Sequence, residues 1–275
     1  MIMVMTTTTI MITGTMITII KVTIITAMII MGIITIMADG RHEVAALRGL
    51  PADQVMQLMA WLSPAFPVGA FSYSHGIEQA VEAGLVTDRA TTAAWIGGIL
   101  QFGAGWIDAG LFLAAHRAVV SVDEAELREV AALGAAWRGT SETALESSAQ
   151  GSAFVTTLRA GWDLPQATAW FARLPAMPVY PIAVAIAAAS CGIVEEIALA
   201  AYQQAFAANL ISAAQRLVPL GQTDGQRILA TLTAEIGDIV AAARKTSFDD
   251  LGSAALMVDW TSAQHETQYT RLFRS

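Results

Sequence analysis

The chain is short of almost everything that marks a chemical centre. Its single cysteine, Cys191, excludes an internal disulfide and any paired-cysteine zinc site, and fits a reducing compartment. Only four histidines occur, His42, His75, His116 and His265, and none stands in an HxH, HxxxH or HExxH spacing. Each is therefore read as a surface or hydrogen-bonded residue rather than a metal ligand. No Gly-x-x-x-x-Gly-Lys-Ser/Thr loop is present, so nucleotide hydrolysis by that route is excluded. Charge is scarce too, at 14% of residues against about 25% in ordinary soluble proteins. Basic residues are the scarcer sign, 15 against 23 acidic ones. That balance repels phosphate backbones and argues against a nucleic-acid partner.

What the chain does have in excess is apolar residues, 55% of the total. Part of this comes from residues 1–36, which are almost wholly Met, Ile, Thr, Val and Gly, with Lys21 the sole charge. The run from Met16 to Met37 is long enough to cross a bilayer, but it is rich in Thr and holds Lys21. No basic n-region or small-residue cleavage site makes it a signal peptide. Its codons can be written so that a one-base shift turns Met1 to Thr9 into His-Asp-His-Gly-His-Asp-His-Asp-His. We therefore expect residues 1–36 to be an out-of-frame reading of a neighbouring histidine-rich gene, with the true start at Met37. A nucleotide sequence lacking a His/Asp run in that frame would refute this.

Residues 37–275 read as a single compact all-α domain. Val55, Leu58, Met59 and Leu62 follow helical spacing until Ser63-Pro64 stops it. Asp88 suits the N-cap of a helix carrying Trp95, Ile96, Ile99, Leu100 and Phe102. Asp123-Glu124 opens another, Ser141 is the expected cap of a fourth running towards Gly161, and Pro165 fits the first turn of a fifth. Ile182 to Val194 is uninterruptedly apolar or small, which suits a buried central helix holding Cys191 as an inert thiol. Thr223 to Gln226 has a capping-box pattern ahead of Ile228, Leu232, Ile236, Ile239 and Val240.

Two stretches break this grammar. Ser63 to Gly76 (SPAFPVGAFSYSHG) is dense in Pro, Gly, Ser and aromatics, and its plainest role is an interhelical turn. The tail from Ser262 to Ser275 is polar and basic, yet carries Tyr269, Leu272 and Phe273. Fraying explains a polar tail but not these side chains, whereas aromatic and Arg anchors suit a partner-binding segment. No catalytic pair is legible: Ser74 and His75 are adjacent in sequence with no third member. Two rivals stay open, a small helical enzyme centred on Ser72, Ser74, His75 and Glu78, and a membrane protein anchored by residues 16–37.

The segment Leu58 to Glu78 (LMAWLSPAFPVGAFSYSHGIE) resembles the N-terminal signature of the UreF family of urease accessory proteins. Ile211 to Gln226 (ISAAQRLVPLGQTDGQ) and the ending His265 to Ser275 (HETQYTRLFRS) resemble a later motif and the terminus of the same family. The resemblance spans roughly residues 50–275. It implies an all-α, non-enzymatic, cytoplasmic chaperone subunit that dimerises, binds UreD (also called UreH) and recruits the GTPase UreG. That complex would act on apo-urease, coupling GTP hydrolysis to nickel insertion. No cofactor would be held stably by this chain, since GTP belongs to UreG and nickel passes through the complex. The resemblance also places His265, Glu266, Tyr269, Arg271, Leu272 and Phe273 in a tail that docks on UreD. Near it would lie Phe66, Pro67, Gly69, Phe71, Ser72, Ser74, Gly76 and Glu78. Deleting residues 262–275 is then expected to abolish UreD binding while leaving the helical body folded. The nickel carrier UreE often ends in a histidine-rich tail, which would account for the frame-shifted reading of residues 1–36.

Overall fold

The centre of the fold is a helix that has no polar face. In the computed structural model, which describes residues 51–275, helix α8 spans Tyr180–Ser190, and Pro181 to Ala188 are all buried. Helices α4 (Ala104–Val120), α6 (Ser141–Gly161), α7 (Pro165–Arg173) and α9 (Glu195–Leu217) pack around it. With neighbours on every side, α8 needs only small and aliphatic residues. Gly151 of α6 permits one of these approaches, since a Cβ there would lie 2.2 Å from the Pro178 carbonyl oxygen. Outside this core lie α3 (Arg89–Phe102), α5 (Glu124–Ala136) and α10 (Gln222–Ala243). The short α1 (Ala52–Trp61), α2 (Ile77–Glu82) and α11 (Leu256–His265) complete the bundle. Among the described residues there is no strand, in agreement with the all-α reading.

Local sequence sets most helix ends. Asp88 caps α3 in a reciprocal capping box with Thr91. Helix α6 is capped by Thr140 rather than Ser141, because Thr140 is the residue that keeps an extended backbone and accepts from Thr143 N–H. Helix α10 opens behind Gly221 with no side-chain cap, so the box expected at Thr223 does not form. The apolar run Ile182–Val194 is not one helix. Gly192 adopts φ 70°, Gly192 N–H donates to Ala189 and Ile193 N–H to Ala188, the closing pattern of a Schellman turn. Cys191 thus sits at the cap, only half-buried, and burial raises its thiol above the usual range.

The run Arg89–Val120 is long and apolar enough to cross a membrane, but two thirds of its most apolar window is buried inside the bundle. It is also two helices, separated at Gly103. The proposed extension 1–36, the anchor at 16–37, the start at Met37 and His42 all lie outside the described residues.

Candidate partner-binding site

The irregular stretch after α1 is built around left-handed backbone. Gly69 has φ 76°, a 3-10 turn spans Ala70–Ser72, and then His75 and Gly76 take φ 54° and 77° before α2 begins. Gly76 is required twice over: by that φ, and because a Cβ would lie 2.9 Å from both Ser262 N and Thr261 Oγ1 of α11. Two consecutive left-handed residues turn the chain so that Ser74, His75 and Glu78 all face inward, where all three are buried.

They meet a polar ladder on α6. Glu142, Glu146 and Gln150 stand at i, i+4 and i+8, so they share one face of the helix, and all three are buried. His75 Nδ1 lies 3.0 Å from Glu146 Oε2, and Gln150 Nε2 donates to Glu146 Oε1 at 3.2 Å.

The C-terminal tail closes the seam. Glu78 accepts the backbone N–H groups of Leu272 (2.6 Å) and Phe273 (2.9 Å), and its Oε2 is 3.0 Å from His265 Nε2. The other ring nitrogen of His265 lies 2.8 Å from Glu142 Oε2, and Arg271 Nη1 donates to Glu142 Oε1 at 3.0 Å. Beyond this clamp, Arg274 N–H donates to Ser72 O at 2.8 Å, and Ser74 Oγ donates to Ser275 O at 2.7 Å. His265 is fully buried between its two carboxylates. A neutral imidazole has one N–H, so the second contact needs a further proton, on the ring or on a carboxyl. Burial raises the Glu142 carboxyl above the ordinary range, while His265 and then Arg271 pull it back.

Within the tail the side chains divide. Phe273 turns in, 4% exposed, with the Arg216 guanidinium 4.2 Å from its ring centroid. Leu272 is 63% exposed and Tyr269 wholly so. Phe71, whose carbonyl accepts from Arg216 Nη2 at 2.8 Å, is 71% exposed on the neighbouring loop. Pro67, Glu266 and Arg271 are also outside, and Ser141 Oγ donates to Glu266. Ser74, Gly76, Glu78, His265 and Phe273 are inside, with Ser72 and Gly69 partly covered.

Not all the expected residues come together. The ring of Phe66 packs on Phe154, 5.2 Å between centroids, away from the clamp. With Pro67 and Gly69 it lines a cavity of about 190 Å³, shared with Phe71, Gln150, Tyr180 and Phe206. The tail is also no separable arm. The burial of Ser262, His265, Phe273 and Ser275 argues against the expectation that the body folds unchanged without residues 262–275. Sequence reasoning missed Glu142, Glu146, Gln150 and Arg216. A signal for the first three was present in their i, i+4, i+8 spacing.

Chemically, the seam's polar groups are spent on one another. Ser74 Oγ and His75 Nδ1 point to different partners, Ser275 and Glu146, not to each other. Among the described residues no three His, Cys, Asp or Glu side chains are grouped so as to hold a metal ion. What the site offers to solvent are the side chains of Phe71, Tyr269 and Leu272, with Arg271 and Arg274 exposed in the same tail.

The family model for UreF matches residues 86–233. The chain belongs to the UreF family. Its similarity extends well past the region matched by the model. It is 49% identical to a urease accessory protein UreF of Granulibacter bethesdensis over 219 residues, 80% of this chain and 93% of that protein. It is 47% identical to one from a Bradyrhizobium strain over 234 residues, 85% of this chain and 97% of that protein. The UreF assignment fits the resemblance noted in the three motifs, of which Ile211–Gln226 lies inside the matched span.

Proposed function

We propose that this UreF-family chain is a non-enzymatic, cytoplasmic chaperone subunit for nickel insertion into urease. In this reading it binds UreD (UreH), recruits the GTPase UreG and acts with them on apo-urease, with a second copy of itself in the complex. Nickel is the cargo and GTP the partner's ligand, so this chain needs neither a phosphate loop nor a resident metal site. The observation that carries the reading is the pinned tail. A polypeptide end held by buried hydrogen bonds, with Tyr269, Leu272 and Phe71 left facing solvent, supports this reading, because a segment already held in place loses little conformational entropy on docking. The rival enzyme reading finds its residues already engaged: Ser74 by Ser275, His75 by Glu146, and Glu78 by the tail amides.

The test is deletion of the gene in a urease-positive host grown at limiting nickel. Urease activity is expected to fall to background and to return when the gene is restored. Full activity in the deletion strain would sink the chaperone reading, and substrate turnover by the purified chain would favour the enzyme.

A further inference from the structure

Glu78 is the residue where the two irregular stretches of the chain meet. It stands on the short helix α2, is 7% exposed, and offers no surface to a partner. Yet both its oxygens are committed to the tail: Oε1 to Leu272 N–H, Oε2 to Phe273 N–H and His265 Nε2. These contacts bracket the exposed Tyr269. His265 is four residues before Tyr269, and Leu272 and Phe273 follow it closely, so one carboxylate fixes both ends of the segment carrying Tyr269. Consecutive backbone amides donating to one anion also set which of Leu272 and Phe273 faces out. We propose that Glu78 is a positioning residue for partner binding: its buried carboxylate, without touching the partner, holds the tail so that Tyr269 and Leu272 form the contact surface. This rests on the reading above that the tail is the docking surface.

A neutral amide in place of the carboxylate breaks the arrangement without changing its size. Gln has one acceptor oxygen where two backbone N–H groups each take a separate carboxylate oxygen, so its NH₂ would face one of those N–H groups. The groups around Glu78 are otherwise unchanged, since Glu142 still holds His265 and Arg271 and the Ser72–Arg274 pair lies beyond the clamp. The tail is therefore loosened at its middle rather than released.

The experiment uses the full chain, with purified UreD as the probe, and compares Glu78→Gln with the double variant Tyr269→Ala/Leu272→Ala. Glu78→Gln is expected to weaken binding at least tenfold and to speed hydrogen exchange at the Leu272 and Phe273 amides, with α8 amides as protected as in the wild type. The double variant is expected to lose binding with exchange at Phe273 unchanged. Should Glu78→Gln also unprotect α8, His265→Gln, which removes one leg of the clamp from the tail side, is read by the same criteria. Wild-type affinity in the clamp variant, or lost affinity with Leu272 and Phe273 still protected, overturns the positioning role. Wild-type affinity in the double variant instead overturns the docking surface on which the role rests.

Discussion

At the scale of single residues, the buried histidines show how far composition alone can go. Sequence spacing favours a surface or hydrogen-bonded role over metal ligation for His75, His116 and His265, and the structure selects the second, since each is buried with a polar partner. What spacing does not tell is which partner, since the contacts span 71 to 187 residues of chain. His116 yields a pH prediction. Its Nε2 donates to Ile193 O at 2.8 Å, and burial lowers its pKa below the ordinary 6.5, partly offset by that bond. The unfolded chain thus takes up a proton near pH 6.5 that the folded chain refuses until lower pH. The stabilising preference for neutral imidazole is complete above 6.5 and is lost as pH falls through the folded value. Thermal melts about one pH unit above and below 6.5 should show a smaller acid-induced loss for His116→Gln than for the wild type. Equal losses in both proteins would remove His116 as a source of acid lability.

At the scale of elements, helices with a polar face were legible, and of those without one α8 was read from its unbroken apolar run while α4 was not. The α3 capping box, the stop at Ser63-Pro64 and the Pro165 start all follow from local chemistry. Helix α4 is different: it is buried on nearly all sides, so no stripe marks it, and only Gly103 separates it from α3. The element also carries the least expected charge in the core. Asp108 lies 2.8 Å from Arg138 Nη1 and accepts from Tyr202 OH at 2.6 Å, tying α4 to α9 and to the turn after α5. That contact is an ion pair without hydrogen-bond geometry, and Arg138 Nε and Nη2 have no partner. With both side chains under a tenth exposed, removing one partner strands the other charge. Asp108→Ala is therefore expected to cost about 3–5 kcal/mol in urea denaturation. A loss below about 1 kcal/mol, the value of an exposed pair, would show that water reaches Arg138.

At the scale of the whole molecule, the question is whether the tail is an appendage or part of the bundle. Sequence marked residues 262–275 as distinct because they are polar and basic, and texture of that kind reads as detachable. The carboxylates that hold them sit far away in the chain, in α2 and α6, where nothing in the tail's own sequence announces them. Deleting residues 262–275 would remove the last turn of α11, uncover the guanidinium of Arg216 that lies over the Phe273 ring, and leave Glu78 and Glu142 without His265, Arg271 and the tail amides, while Glu146 would lose only the Ser275 hydroxyl. Losing one buried aromatic side chain alone typically costs about 3–5 kcal/mol. Against a total stability of about 5–15 kcal/mol, the truncated chain should melt far below the intact one, or fail to fold. Differential scanning calorimetry of the two proteins decides this, and coincident melting transitions would restore the tail to the status of a free arm. If the transition drops as expected, loss of partner binding on truncation says nothing about contact. That question then falls to substitutions at Tyr269 and Leu272, where side chains can be removed without touching the clamp beneath them.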